Sequence, residues 1–284
     1  MSFNNLSKTF RYVNANGGTL VFDYAHGYLI SKPNGIDKIQ VSLSQAQGID
    51  QVGSTVQSTT VQPRPVTVSG RIVGVDGEAR KDALMSVVRP DIPGKLYADD
   101  YFLDVYVTAT PTVEARKNFA HFQFSVNAAY PYWQKANKVV KALFGVQNLF
   151  KFPWNISRPY QFGQLMKTQF MTVSNNGQLP VPFTATFTAK DTVENPKITN
   201  VATGASMWLN KTMVAGETIV VENTHGRTYV TSSEDGDIRG ALDLDSTLFR
   251  LSVGDNALKP EADSGLSELE VTIAFAPEKP GVTL

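Results

Sequence analysis

The chain contains no cysteine in its 284 residues. Disulfides, thiolate nucleophiles and cysteine-ligated zinc are therefore excluded. It also lacks net charge, because 26 Lys and Arg balance 26 Asp and Glu. Binding to free nucleic acid or to an anionic membrane rests on a positive field, so a neutral chain is a poor candidate for either. Near-zero charge removes the repulsion that keeps copies apart and favours association. No run approaches the ~20 consecutive apolar residues of a membrane span, and no membrane insertion is expected. Residues 1–6 show no charged region followed by an apolar stretch, so no signal peptide is read there and folding in a cytosol is expected.

Motifs of catalysis are missing as well. No Gly-x-Gly-x-x-Gly follows a strand pattern, and Pro93-Gly94-Lys95-Leu96 lacks the upstream glycine and the Ser/Thr of a phosphate loop. No Gly-x-Ser-x-Gly elbow occurs. The three histidines are isolated. His26 and His225 each precede a glycine and read as turn residues, while His121 alternates out of the face that Phe122 and Phe124 share. The acidic clusters Ser232–Asp237 and Asp243–Ser246 lack the alternating ligands and distal Glu of a helix-flanked calcium loop. They read as solvated loop charge. Trp133, Trp154 and Trp208 read as core residues, with a sugar-stacking platform as the sharper alternative. Asn155-Ile156-Ser157 and Asn210-Lys211-Thr212 match a glycosylation sequon, which carries no weight without a secretion signal. No catalytic residue, metal site or cofactor is expected, and the protein is not expected to be an enzyme.

What the chain does have is short strands. Hydrophobic residues make up 42% of it, enough for two cores at a prior of ~150 residues per domain. Thr19–Phe22, Tyr28–Ile30 and Ile39–Leu43 are short β-type runs separated by Gly- and Asn-rich turns. Residues 44–62 are rich in Gln, Ser and Thr and read as a two-stranded hairpin with no continuous apolar face. Such a hairpin is marginal alone, so it is expected to act as an arm that adds strands to an exposed edge of a neighbouring subunit. The arm residues singled out are Gln45, Gln47, Gln51, Val52, Thr55, Val56, Gln57, Thr59 and Thr60. Val66, Val68 and Ile72 mark the next strand. Glu78–Arg89 is the clearest helix, with Ala79, Ala83, Leu84, Val87 and Val88 at helical spacing and Asp76 placed to cap it. Strands resume over 94–97, 102–107 and 119–126. Pro131-Tyr132-Trp133 ends this pattern and reads as a domain junction, within a boundary zone of 131–150. An aromatic, Pro-punctuated connector fills 136–170. Beyond it come eight regularly spaced strands, among them 183–189, 217–222, 248–251 and 269–275, in the pattern of an antiparallel sandwich.

Several motifs in sequence resemble the distal tail protein (Dit) of long-tailed phages of Gram-positive bacteria. They are Gln62 and Arg64 leading into Val66-Thr67-Val68-Ser69-Gly70-Arg71-Ile72, the helix around Glu78-Ala79-Arg80, and Pro131-Tyr132-Trp133. Further on stand Phe150-Lys151-Phe152-Pro153, Tyr160-Gln161-Phe162-Gly163, Val173-Ser174-Asn175-Asn176-Gly177, Asn195–Asn200, Gly216–Val221 and Leu251–Asn256. The resemblance implies a mainly β protein of two domains. The first, residues 1–135, would be a ring-forming β-sandwich with one short helix (78–89) and the long hairpin arm (44–62). The second, residues 136–284, would be a galectin-like antiparallel β-sandwich. It also implies a structural hub of a tail tip or baseplate, a homo-oligomeric ring of six at the virion tail tip, assembled in the bacterial host cytoplasm. Implied partners are the tail tube protein, the tape-associated tail-tip protein, and receptor-binding proteins or side fibres, with DNA only passing through the lumen. The alternative reading is a carbohydrate-binding β-sandwich adhesin that recognises a host receptor.

Overall fold

The computed structural model describes residues 9–74, 76–115, 119–143, 146–147, 164–165, 170–224 and 226–284. It divides into two compact units. Unit 1 comprises residues 1–137 and 278–284, and unit 2 comprises residues 138–277. The described residues form antiparallel sheets with one short α-helix.

Unit 1 begins with β1 (Phe10–Asn14), β2 (Thr19–Val21) and β3 (Tyr28–Ile30). The arm strands β4 (Val41–Ala46) and β5 (Thr55–Val61) follow, then β6 (Arg64–Ile72), helix α1 (Gly77–Val87), β7 (Gly94–Ala98), β8 (Tyr101–Ala115), β9 (Ala120–Ala128) and β10 (Trp133–Lys135). The main sheet runs β2-β1-β7-β8-β9-β6-β3. Strand β8 has 15 residues and bends at register breaks between Val107 and Thr112. Its first part pairs with β7 and β10, and its second part with β9. The inward faces therefore meet. Phe10, Phe22, Tyr28, Phe122 and Phe124 pack with ring centroids 5.8–6.5 Å apart. Alternation in β6 and β9 buries Val66, Val68, Ile72, Phe122, Phe124 and Val126, as a period of two requires when one face is buried. Gly70 pairs with Ile30 of β3, where a Cβ would lie 2.3 Å from the Leu29 carbonyl oxygen.

The helix departs from expectation at its cap. Asp76 makes no side-chain capping bond. Leu84 and Val88 are buried, whereas Met85 is 41% exposed. The helix is held instead by Arg80, whose guanidinium donates to the Val73 carbonyl, and by Tyr28, whose hydroxyl donates to the Arg80 carbonyl at 2.7 Å.

Unit 2 opens with β11 (Val139–Ala142), β12 (Val146–Gln147), β13 (Gln164–Leu165), β14 (Met171–Asn175), β15 (Thr184–Ala189), β16 (Val193–Glu194), β17 (Lys197–Asn200) and β18 (Ser206–Trp208). It continues with β19 (Thr212–Met213), β20 (Thr218–Thr224), β21 (Arg227–Ser232), β22 (Gly236–Asp237), β23 (Gly254–Glu261) and β24 (Leu269–Phe275). A sheet of order β11-β24-β15-β20-β21-β22 and one of order β14-β23-β17-β18 share a core. Phe187, Ile219, Val221, Val271 and Ile273 come from the first, and Val173, Ile198, Met207 and Leu258 from the second. The expected strand at 248–251 does not form. Leu251 makes only an isolated bridge to Val181, and the buried side chain packs from a loop. The connector expected over 136–170 falls largely outside the described residues, as do Trp154, His225 and the sequon at 155–157.

The chain then returns to unit 1. Strand β25 (Glu278–Lys279) pairs with β10, matching Trp133 to Lys279 and Gln134 to Glu278.

Candidate assembly interface

The arm is a two-stranded ribbon with no third strand among the described residues. All thirteen residues of β4 and β5 are exposed. It begins at Val41 rather than at residue 44 as the sequence pattern suggested, since Val41 pairs with Val61 and Gln62 continues the ladder by donating to the Gln40 carbonyl. The longer register adds Val41 and Leu43 to a face that Gln45 and Thr59 keep from being continuously apolar. Residues directly opposite one another share a face. Val41, Leu43 and Gln45 stand opposite Val61, Thr59 and Val56, so Val41, Leu43, Val56 and Val61 line one side. Ser42, Ser44 and Ala46 stand opposite Thr60, Ser58 and Thr55, so the other side is small and polar. A bulge that leaves Gln57 unmatched brings Val56 into the apolar row. Leu43 is 52% exposed and Val56 51%.

The structure separates the arm residues by role. Gln45, Gln47 and Gln51 are engaged within the arm. Gln47 Nε2 donates to the Gln51 carbonyl at 3.1 Å, and the Gly48 amide donates to Gln51 Oε1 at 3.0 Å. Gln51 Nε2 donates to Thr55 Oγ1 at 2.9 Å, and Ser54 Oγ to Gln45 Oε1 at 2.6 Å. Asp50 and Gly53 take left-handed backbone at φ 60° and 84°, which closes the tip. Ile49 and Val52 project fully into solvent there. Thr59 lies in the apolar row, while Thr55 and Thr60 lie on the polar side. Sequence reading missed Val41, Leu43, Ile49 and Val61. Counting alternation from Val41 instead of Ser44 would have exposed three of them.

Immediately after the arm, Arg64 is 2% exposed and gives four of its five guanidinium N–H groups to backbone oxygens. Nε donates to the Pro131 carbonyl at 2.7 Å, and Nη1 to the Gly35 and Ile36 carbonyls at 2.8 and 3.0 Å. Nη2 donates to the Pro280 carbonyl. Burial lowers the Arg64 pKa to about 10, opposed by the charge of Asp37, so it remains a cation at neutral pH. Trp133 is fully buried and its indole donates to the Ile36 carbonyl at 3.0 Å. Tyr132 lies edge-on to Tyr130, with centroids 5.3 Å apart. Pro131, Tyr132 and Trp133 therefore stand together beside Arg64 inside unit 1, apart from the arm's exposed rows.

Unit 2 offers fewer candidates. Trp208 is half-buried, with Lys197 Nζ 5.3 Å from its ring centroid. Glu234, Asp235, Asp237 and Asp245 of the acidic clusters are exposed, as solvated loop charge would be. Lys211 bridges Asp235 at 2.7 Å and the buried Glu217 at 3.3 Å. Burial alone would raise the Glu217 pKa, but the Ser232 hydroxyl, the Val214 amide and Lys211 together hold it below the usual glutamate value. Among the described residues no group of three or more His, Asp and Glu side chains is placed to hold a metal ion. His121 lines an open pocket with Arg71, Thr112, Glu114, Phe119 and Gln123 on the outer sheet face.

Residues 176–278 match the family model described as siphovirus-type tail component, C-terminal domain. No curated protein matches the chain. Among solved structures, the crystal structure of the phage SPP1 Dit protein has a TM-score of 0.69 at 13% identity, covering 95% of this chain and 98% of that one. That protein is described as a paradigm of the hub adsorption apparatus of phages infecting Gram-positive bacteria. A chain of the phage P2 baseplate in its activated conformation with Ca gives a TM-score of 0.49 at 10% identity, covering 98% and 100%. Residues 176–278 thus match the siphovirus-type tail component domain, and the chain carries the fold of the SPP1 Dit protein.

Proposed function

We propose that the chain is the structural hub of a phage tail tip or baseplate, with six copies forming a closed ring through unit 1. The observation that carries this reading is the arm. A two-stranded ribbon with an exposed apolar row is marginal in water by itself. A ring repeats one heterologous contact around its axis, so each copy needs two complementary patches. The arm supplies one patch, and its apolar row seats on a neighbouring copy. The ring joins the tail tube protein on one side to the tape-associated tail-tip protein on the other, and DNA passes through the lumen. Unit 2 offers docking surface to receptor-binding proteins or side fibres. The protein acts by position and not as an enzyme, and it assembles in the host cytoplasm before reaching the virion tail tip.

Size-exclusion chromatography with light scattering tests the reading. The full chain is expected to run as a ring-sized oligomer, alone or when mixed with the tube protein. Deleting residues 43–59 is expected to return it to a monomer with both units folded. A full chain that stays monomeric in both settings sinks the hub. A deletion variant that assembles like the parent removes the arm from the interface.

A further inference from the structure

Unit 1 is completed by residues that follow unit 2 in the chain. Strand β25 covers the outer edge of β10. Glu278 is 3% exposed, and its carboxylate accepts the Tyr130 hydroxyl at 2.9 and 2.8 Å. Pro280 gives its carbonyl to Arg64. The Val282 amide donates to the Ile36 carbonyl at 3.0 Å, the same oxygen that receives Trp133 and Arg64. Gly281 lies against the backbone of Asp37, where a Cβ would stand 2.4 Å from the carbonyl oxygen. Val282 and Leu284 pack on the unit 1 core, and Lys279 Nζ stands 4.3 Å from the Tyr101 ring centroid.

We propose that residues 278–284 are a closing strap, received by Arg64, and that the N-terminal unit finishes folding last. Before the strap docks, a buried guanidinium lacks one carbonyl, and a buried polar group without its partner is destabilising. The edge of β10 is also open on the side that β25 covers, and an open strand edge pairs with whatever strand it meets. Both defects are repaired by sequence that lies beyond the whole of unit 2. Unit 1 is thus begun first and closed last, and its sheet edge is sealed only in a chain that has also produced unit 2. The inference concerns the folding of one copy and holds whether or not the ring reading above does.

Refolding of the full chain under pulse-labelled hydrogen exchange tests the order. Amides of the β6–β9 and β15–β24 ladders are expected to gain protection in earlier phases than those of 133–135, Lys279 and Val282. Strap amides that gain protection together with β6–β9 overturn the proposal. Native-state exchange gives a second arm. Gly281→Val, which crowds the strap off Asp37, is expected to speed exchange at 133–135, 278–279 and 281–282 by about tenfold while β15–β24 stays unchanged. Tyr130→Phe removes a single hydroxyl and is expected to produce a smaller increase in the same amides, which keeps the test open if Gly281→Val fails to fold. Wild-type exchange at 133–135 in both variants, or an equal rise in unit 2, counts against the strap.

Discussion

Strands β5 and β6 are separated by two residues and live in opposite environments. Every side chain of β5 is exposed, whereas β6 buries alternate residues from Arg64 to Ile72. Among the described residues β5 pairs only with β4 and leaves Gln57 unmatched, whereas β6 is paired on both sides, with β9 and β3. Burial separates the two strands further. Net backbone pairing contributes little beyond what water offers, whereas apolar area removed from water contributes about 25 cal/mol per Å². Strand β6 holds unit 1 together. The arm beside it adds almost nothing to a single copy, and its apolar row is available to another.

The contrast can be broken first on the β6 side. Trp133→Ala empties a fully buried site next to Arg64 and is expected to destabilise unit 1 by about 3–5 kcal/mol in urea unfolding. A loss below about 1 kcal/mol would mean that this corner is not part of the core. On the arm side, Leu43→Ser combined with Val56→Ser is expected to change single-copy stability by no more than about 0.5 kcal/mol. The same pair is expected to abolish the ring-sized species in light scattering. A large drop in monomer stability would instead show that the arm folds against its own unit.

Unit 2 extends the comparison to a buried charge. Glu217 has its pKa lowered in the folded state, so its contribution to stability is full above the unfolded value and is lost as pH falls through the folded one. The melting temperature of unit 2 is expected to fall as pH drops below about 4.5. Glu217→Gln is expected to be less stable at neutral pH and to show a flatter acid limb. Parallel acid limbs in the two proteins would assign the effect to other carboxylates. The smallest effect belongs to the exposed pair Arg89–Asp91, where Arg89→Ala is expected to leave the unfolding midpoint unchanged in the same assay.

Much of the fold was legible because it is local. Val66, Val68, Phe122 and Phe124 alternate over a few residues, and alternation is a property of one strand. The turn at Asn175-Asn176-Gly177 announces itself by composition, and Asn175 Oδ1 accepts the Gly177 amide there. The apolar row of the arm was not legible, because it depends on which residue of β4 faces which of β5. A single unmatched residue at Gln57 moves Val56 into the row. The loop at 248–251 looked like a strand because Leu248, Phe249 and Leu251 are apolar. They are recruited from a loop by the unit 2 core, and Phe249 lies 5.1 Å from Phe183 between centroids. Arg64 was noticed only as part of a motif. Its four acceptors come from residues 35, 36, 131 and 280, a convergence that no local pattern records.

The pairing of β10 with β25 has a consequence for modular exchange. The chain leaves unit 1 after β10 and re-enters it at β25, and these two strands are neighbours in one ladder. Within unit 2 the corresponding entry and exit strands, β11 and β24, are neighbours as well, with Val139 opposite Phe275. An inserted domain is tolerated best where its two ends lie side by side. Unit 2 therefore has the connectivity of a cassette. A different domain with adjacent ends could replace residues 138–277 while the strap, Arg64 and the arm stay as they are, so that one scaffold could carry many different inserted domains.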